Sequence, residues 1–191
     1  MTLMSVSGWK YILAMAFKRA EKVFVDESKE RGYFLVATSS EINTLRDSDK
    51  ALRKLLKPGQ RRLHFKSESD SRRREILSVM SRLDLSVTVF VCQGLSEKEA
   101  RTLCLKALIG MAVDSEIFSL VIERDESIVQ ADRRVIAGIL LAQQTSLPYS
   151  LVGPHEHPLL WVSDAVAWSF NSGGDWLRRS NPIVDEVIYL T

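Results

Sequence analysis

Cysteine and histidine are scarce in this chain: Cys92 and Cys104 are the only cysteines, and there are three histidines in 191 residues. The cysteines form no CxxC pair and no zinc spacing, so neither a disulfide scaffold nor a zinc module is expected. Two reduced, half-buried thiols fit a cytoplasmic protein. Cofactor-fold signatures are also missing. There is no GxGxxG, no GxxxxGKS or GxxxxGKT, and no GxSxG, so dinucleotide, P-loop and α/β-hydrolase readings lose support. The N-terminal apolar stretch, Tyr11 to Phe17, is far too short to span a bilayer, and no membrane partner is expected. No small-residue cleavage site follows it; Lys18, Arg19, Glu21 and Lys22 do. Residues 1–20 therefore read as a loose or helical lead-in, not a signal peptide, with Met15 an alternative start. Residues 21–191 read as one domain. A strong charge of either sign is absent too: 26 Lys+Arg face 24 Asp+Glu, a net +2. That argues against wholesale coating of nucleic acid and leaves local patches open.

What is present is an alternation of strand and helix signals. Residues 22–28 and 33–40 are β-branched and aromatic runs, and Glu30-Arg31-Gly32 between them predicts a hairpin. A charged helical segment at 44–57 ends at Pro58-Gly59. Residues 62–66, RLHFK, predict a short strand. A helix follows from the Ser67–Asp70 caps to about Leu83, then a strand at 86–92. Ser96 and Glu99 form a capping box for a helix to about Val113. Residues 118–123 predict a strand, 129–143 a helix, and 149–152 an extended piece. Pro158 suits the first turn of a helix at 159–171, which Gly173-Gly174 ends. Residues 185–190 predict a last strand. The fold class is α/β: a mixed sheet starting with an antiparallel hairpin, with helices on its faces.

Two apolar strands run directly into acids, VFV into Asp26 and SLVI into Glu123. A carboxylate there is costly unless solvated, paired or bound to metal. Asp164 falls on the helical wheel between Leu160 and Trp168, inside the apolar stripe, so it faces the sheet. Taken singly, each is a strand-end acid or a buried ion-pair partner. Together they describe a hard-oxygen site for a divalent metal, Mg²⁺ or Mn²⁺, of the kind that supports phosphodiester cleavage.

The order of strand-Asp, hairpin, later strand-acid and late helix-Asp resembles the ribonuclease-H-like fold. Within it the chain is similar to an uncharacterised bacterial family with a "DES" strand end and an "LQLAD"-type helix. The matching pieces are VFVDES at 23–28, LVIERDE at 120–126 and LLWVSDAVAW at 159–168, within a span of about residues 22–170. The resemblance implies that Asp26, Glu123 and Asp164 are metal ligands and that the activity is metal-dependent hydrolysis of RNA or DNA. One departure stands out. The family often carries a Glu where this chain has Arg62-Leu63-His64-Phe65-Lys66; Glu68 is the nearest substitute.

Further candidates have bland counterparts. His64 and Lys66 either line the site, for a proton or a phosphate, or form a solvated face. Segment 61–75 holds six basic residues and three acids, and Arg72 and Arg73 flank the stripe of the following helix, at the site rim for phosphate. Arginines disfavour a helix N-terminus, which hints at a reason beyond helix stability. Asp132 reads equally as a fourth metal ligand or an ion-pair partner of Arg133 or Arg134, and Asp125 shares the strand face of Glu123. Pro154-His155-Glu156-His157-Pro158 lacks HExxH spacing and a third ligand, so it reads as a loop. Trp161, Trp168 and Trp176 read as packing residues. The alternatives to a nuclease are a catalytically inactive nucleic-acid- or protein-binding module and a phosphohydrolase of small nucleotides.

Overall fold

The computed structural model describes residues 20–191. The lead-in expected at 1–20 lies almost wholly outside the described residues. A six-stranded sheet forms the centre: β1 (Ala20–Ser28), β2 (Tyr33–Glu41), β3 (Ser86–Cys92), β4 (Ser119–Glu123), β5 (Tyr149–Val152) and β6 (Glu186–Leu190), in the order β5-β4-β1-β2-β3-β6. β1–β2 and β2–β3 are antiparallel; β4 beside β1, β5 beside β4 and β6 beside β3 are parallel. The central strands are rich in Val and Phe, the residues that suit a pleat buried on both faces. The edges are short strands of four and five residues, which limits the unpaired backbone they expose. Gly32 closes the hairpin at φ +132°, a conformation that side chains resist.

Helices cover both faces. α3 (Glu97–Asp114) and α4 (Val129–Ala142) pack on one, around Leu105, Leu108, Ile109 and Ile136. On the other, α1 (Leu45–Arg53), α2 (Asp70–Met80) and α5 (Pro158–Ser172) pack around Leu52, Ile76, Leu160, Trp161 and Val166. The expected capping box is formed at the head of α3: the Ser96 hydroxyl accepts the Glu99 N–H, and Glu99 accepts the Ser96 N–H. Pro158 opens α5 as expected. Among the described residues no helix is long and apolar enough to cross a membrane.

Three expectations fail locally. Residues 62–66 form no strand. Leu63 and Phe65 are buried and His64 is half-exposed, so the alternation is real, but no ladder partner is present. Side chains satisfy this backbone instead: Asp164 accepts the Phe65 N–H, and Arg73 donates to the carbonyls of Phe65 and Lys66. The segment tightens into a 3₁₀ turn at Phe65–Ser67. Gly173-Gly174 ends α5 but also starts α6 (Gly174–Ser180), an added helix that the paired glycines concealed. The thiols are fully buried, not half-buried, with the two sulfurs 3.5 Å apart.

Candidate metal centre

β1 and β4 run parallel in the register Phe24↔Val121 and Val25↔Ile122. The next step sets Asp26 beside Glu123, and period-two alternation turns both toward the α5 face, with Phe24 and Val121. α5 crosses that face. The Ser163 hydroxyl donates to the Phe24 carbonyl at 3.0 Å and meets the Thr38 hydroxyl at 2.8 Å, which fixes the helix over the hairpin. Asp164, one residue on, therefore approaches the two strand acids. Its carboxylate accepts the Phe65 N–H at 3.0 Å and lies 3.8 Å from His64 Nδ1.

These three acids form an electrostatic unit. Burial raises the Asp26 pKa well above its ordinary value, and the charges of Glu123, Asp164 and Glu27 add to it. Burial and then Asp164 push Glu123 up to about 7, against a partial counter-effect from Arg62. Its contact with Asp164 raises the His64 pKa. Each acid uses one oxygen within the protein: Asp26 Oδ1 accepts the Glu27 N–H at 2.8 Å, Asp164 Oδ2 holds Phe65, and Glu123 Oε1 faces Arg62 at 3.7 Å. The second oxygen of each has no hydrogen bond among the described residues. Asp26, Glu27, Arg62, Glu123, Arg124 and Asp125 line a shared open cavity of about 380 Å³.

The donor set fits a hard divalent cation. It is all carboxylate oxygen, it concentrates like charge, and each acid keeps one oxygen free of hydrogen bonds among the described residues. Among the described residues no group of three His, Cys, Asp or Glu side chains is gathered into a finished metal cage. The three acids share a field, and Asp26 and Glu123 share the cavity, without closing around a point.

The other candidates are placed differently. Asp132 lies across the sheet, buried on α4. Arg101 holds it through two nitrogens at 2.6 and 2.7 Å and holds Glu27 at 2.7 Å and the Tyr33 hydroxyl at 2.9 Å with the third. Its ion-pair reading holds, with Arg101 and not Arg133 or Arg134 as partner; the fourth-ligand reading gives way because the opposite face separates it from Asp164. Glu68 is buried with both oxygens taken, by Lys57 at 2.6 Å and Gln60 at 2.8 Å, so it supplies no replacement acid. Arg72 donates to the Leu55 carbonyl and pairs with Glu75. Arg73 braces the 65–66 backbone and lies 4.4 Å above the Trp168 ring. Scaffold contacts thus account for both arginines at the head of α2 without a phosphate. Lys66 pairs with Glu30. Asp125 borders the cavity but is engaged by Ser127 and Lys29. Trp161 is buried, its indole donating to the Pro154 carbonyl, as a packing residue should.

Three residues of the cavity, Glu27, Arg124 and Glu126, escape the sequence reading. Arg124 follows Glu123 directly and pairs with Glu126 at 2.7 Å. Glu27 lines the cavity from the strand end while its carboxylate is tied to Arg101 and, at 3.5 Å, to Lys29. The consecutive acids of VFVDES were the available signal.

No protein-family model matches the chain, and no curated protein matches it. Solved structures do. A chain of the PCNA:RNase HII complex from Archaeoglobus fulgidus matches at TM-score 0.54 and 13% identity, over 80% of this chain and 73% of that one. Bst-RNase HIII in complex with Mn²⁺ matches at TM-score 0.51 and 13% identity, over 83% and 54%. A glutamine-to-alanine variant of Bst-RNase HIII matches at TM-score 0.50 and 11% identity, over 82% and 53%. The chain spans about half the length of the RNase HIII structures. At these identities the likeness shows the fold: an α/β, ribonuclease-H-like domain.

Proposed function

We propose that this protein is a nuclease that hydrolyses phosphodiester bonds of RNA or DNA with Mg²⁺ or Mn²⁺ held by Asp26, Glu123 and Asp164. The observation that carries the reading is the approach of three acids from two parallel strands and one helix, each with one oxygen free of hydrogen bonds among the described residues, Asp26 and Glu123 lining one cavity. The likeness to RNase HII and to a Mn²⁺-bound RNase HIII supports the reaction class and the metal.

A bound divalent ion supplies Lewis-acid stabilisation of the phosphoryl oxygens. The protein's own residues do the remainder. Asp26 and Glu123 are held apart by the sheet register, and the Phe65 N–H orients Asp164. His64, contacting Asp164 and more than a third exposed, is placed to exchange a proton with solvent or substrate. Arg62 and Arg124 offer guanidinium groups at the cavity wall for the phosphate backbone.

Cleavage of labelled single-stranded and hybrid oligonucleotides with Mg²⁺ or Mn²⁺ tests this. Asp26→Asn is expected to lower the rate by at least about 100-fold. Equal rates for the two proteins overturn the reading. The second reading, a non-catalytic binding module, is favoured by the acids' failure to close into a cage. It predicts oligonucleotide binding without cleavage and without metal dependence.

A further inference from the structure

A second cavity, also about 380 Å³, lies on the same sheet face, toward the start of β1. Its floor is apolar: Phe24, Leu45, Pro158 and Leu159. Its walls carry Lys22, Arg46 and Lys50. Lys22 is half-buried and Arg46 exposed, and neither has a hydrogen bond or ion pair among the described residues. Lys50 has one exposed partner, Asp47, at 3.5 Å. Among the described residues the one acid in the lining, Asp49, is already neutralised by Arg53 at 2.7 Å. The cavity thus holds a surplus of positive charge beside buried apolar surface. The 15-residue helix α5 begins here with no side-chain cap, so its first-turn amides add to the positive field. His157, its ring tilted on Phe24 at 5.4 Å, has its pKa lowered by burial and by Lys22.

Lys22 and Asp26 are four residues apart on β1. At about 3.3 Å per residue this separates the cavity from the acids by about 13 Å, roughly four nucleotides along a duplex axis. α5 runs from one site to the other.

We infer that this cavity is a nucleotide subsite for the substrate strand. Lys22, Arg46 and Lys50 take a backbone phosphate, and the apolar floor takes the attached sugar and base. This rests on the nuclease reading for the identity of the strand. It explains a charge surplus in which Lys22 and Arg46 have no ion pair among the described residues, and an apolar floor that inorganic phosphate alone leaves unused.

The test is fluorescence anisotropy with a labelled single strand of about 12 nucleotides. It uses the Asp26→Asn chain without added metal, so cleavage plays no part. Adding Lys22→Gln and Arg46→Gln is expected to weaken binding about tenfold and to lower the salt slope by about 0.7, the value for one lost phosphate contact on a single strand. Lys22→Arg is expected to retain the affinity. Circular dichroism should be unchanged, because neither side chain holds a hydrogen-bond or ion-pair partner among the described residues. A nucleoside 5′-monophosphate should displace the strand at lower concentration than inorganic phosphate. An unchanged salt slope in the double variant overturns the subsite, and so does a strand that fails to bind. Displacement equal to that by inorganic phosphate overturns the assignment of the floor. Failure of the nuclease reading is seen separately, as equal cleavage by wild type and Asp26→Asn.

Discussion

Asp26 and Glu27 are consecutive, yet the pleat sends them to different partners, and this separation shapes the site. Asp26 faces the charges of Glu123 and Asp164 with no ion-paired cation among the described residues, while Glu27 is neutralised by Arg101 and Lys29. The consequence is a pH dependence of stability. The folded Glu123 pKa, about 7, exceeds its ordinary 4.5, and Asp26 is shifted the same way. The folded state therefore holds protons that the unfolded chain has released. Stability falls as pH rises from about 4.5 to 7, by on the order of 2–3 kcal/mol from Glu123. Thermal unfolding across that range should show the decline, and Glu123→Gln should flatten it. Mn²⁺ should raise the melting temperature more at pH 7 than at pH 5, since it competes with protons for the same oxygens. The sequence made Asp26, Glu123 and Asp164 legible because each interrupts an apolar pattern. It did not separate Glu68, Asp132, Arg72 and Arg73 from them. Those residues break the same patterns, and their partners, Lys57, Arg101, Leu55 and Trp168, are identified only by the folded chain.

At the scale of elements, Arg101 fastens α3 to α4 through Asp132 and to the hairpin through Glu27 and Tyr33. Removing it strands two buried carboxylates. Arg101→Met is expected to cost about 3–5 kcal/mol in urea unfolding, and Asp132→Leu in the same chain should recover part of that loss. The capping box is exposed and local, so Ser96→Ala should cost about 1 kcal/mol. That box was legible because it is written within four residues. Strands β3 and β5 were legible as contiguous β-branched or apolar runs bounded by turns. The 62–66 segment was not. Its alternation matches a strand, and the distinction rests on Asp164, about a hundred positions away, capturing an amide that a neighbouring strand would otherwise take.

Across the whole molecule, near-neutral composition conceals sorted charge. Acids gather at the ends of β1 and β4, and a surplus of cations gathers beside the start of α5. The thiols report on the body beneath. Cys92 and Cys104 are buried between sheet and α3, and burial raises both pKa values. A thiol reagent should label them only as fast as the fold opens, and an Arg101→Met chain should label faster in proportion to its lost stability. The central claim is that the three acids hold a divalent cation, and calorimetric titration with Mn²⁺ near pH 7 tests it most directly. The account predicts saturable binding with proton release, abolished by Asp26→Asn. A flat titration of the wild-type protein, or one that Asp26→Asn leaves unchanged, would contradict it.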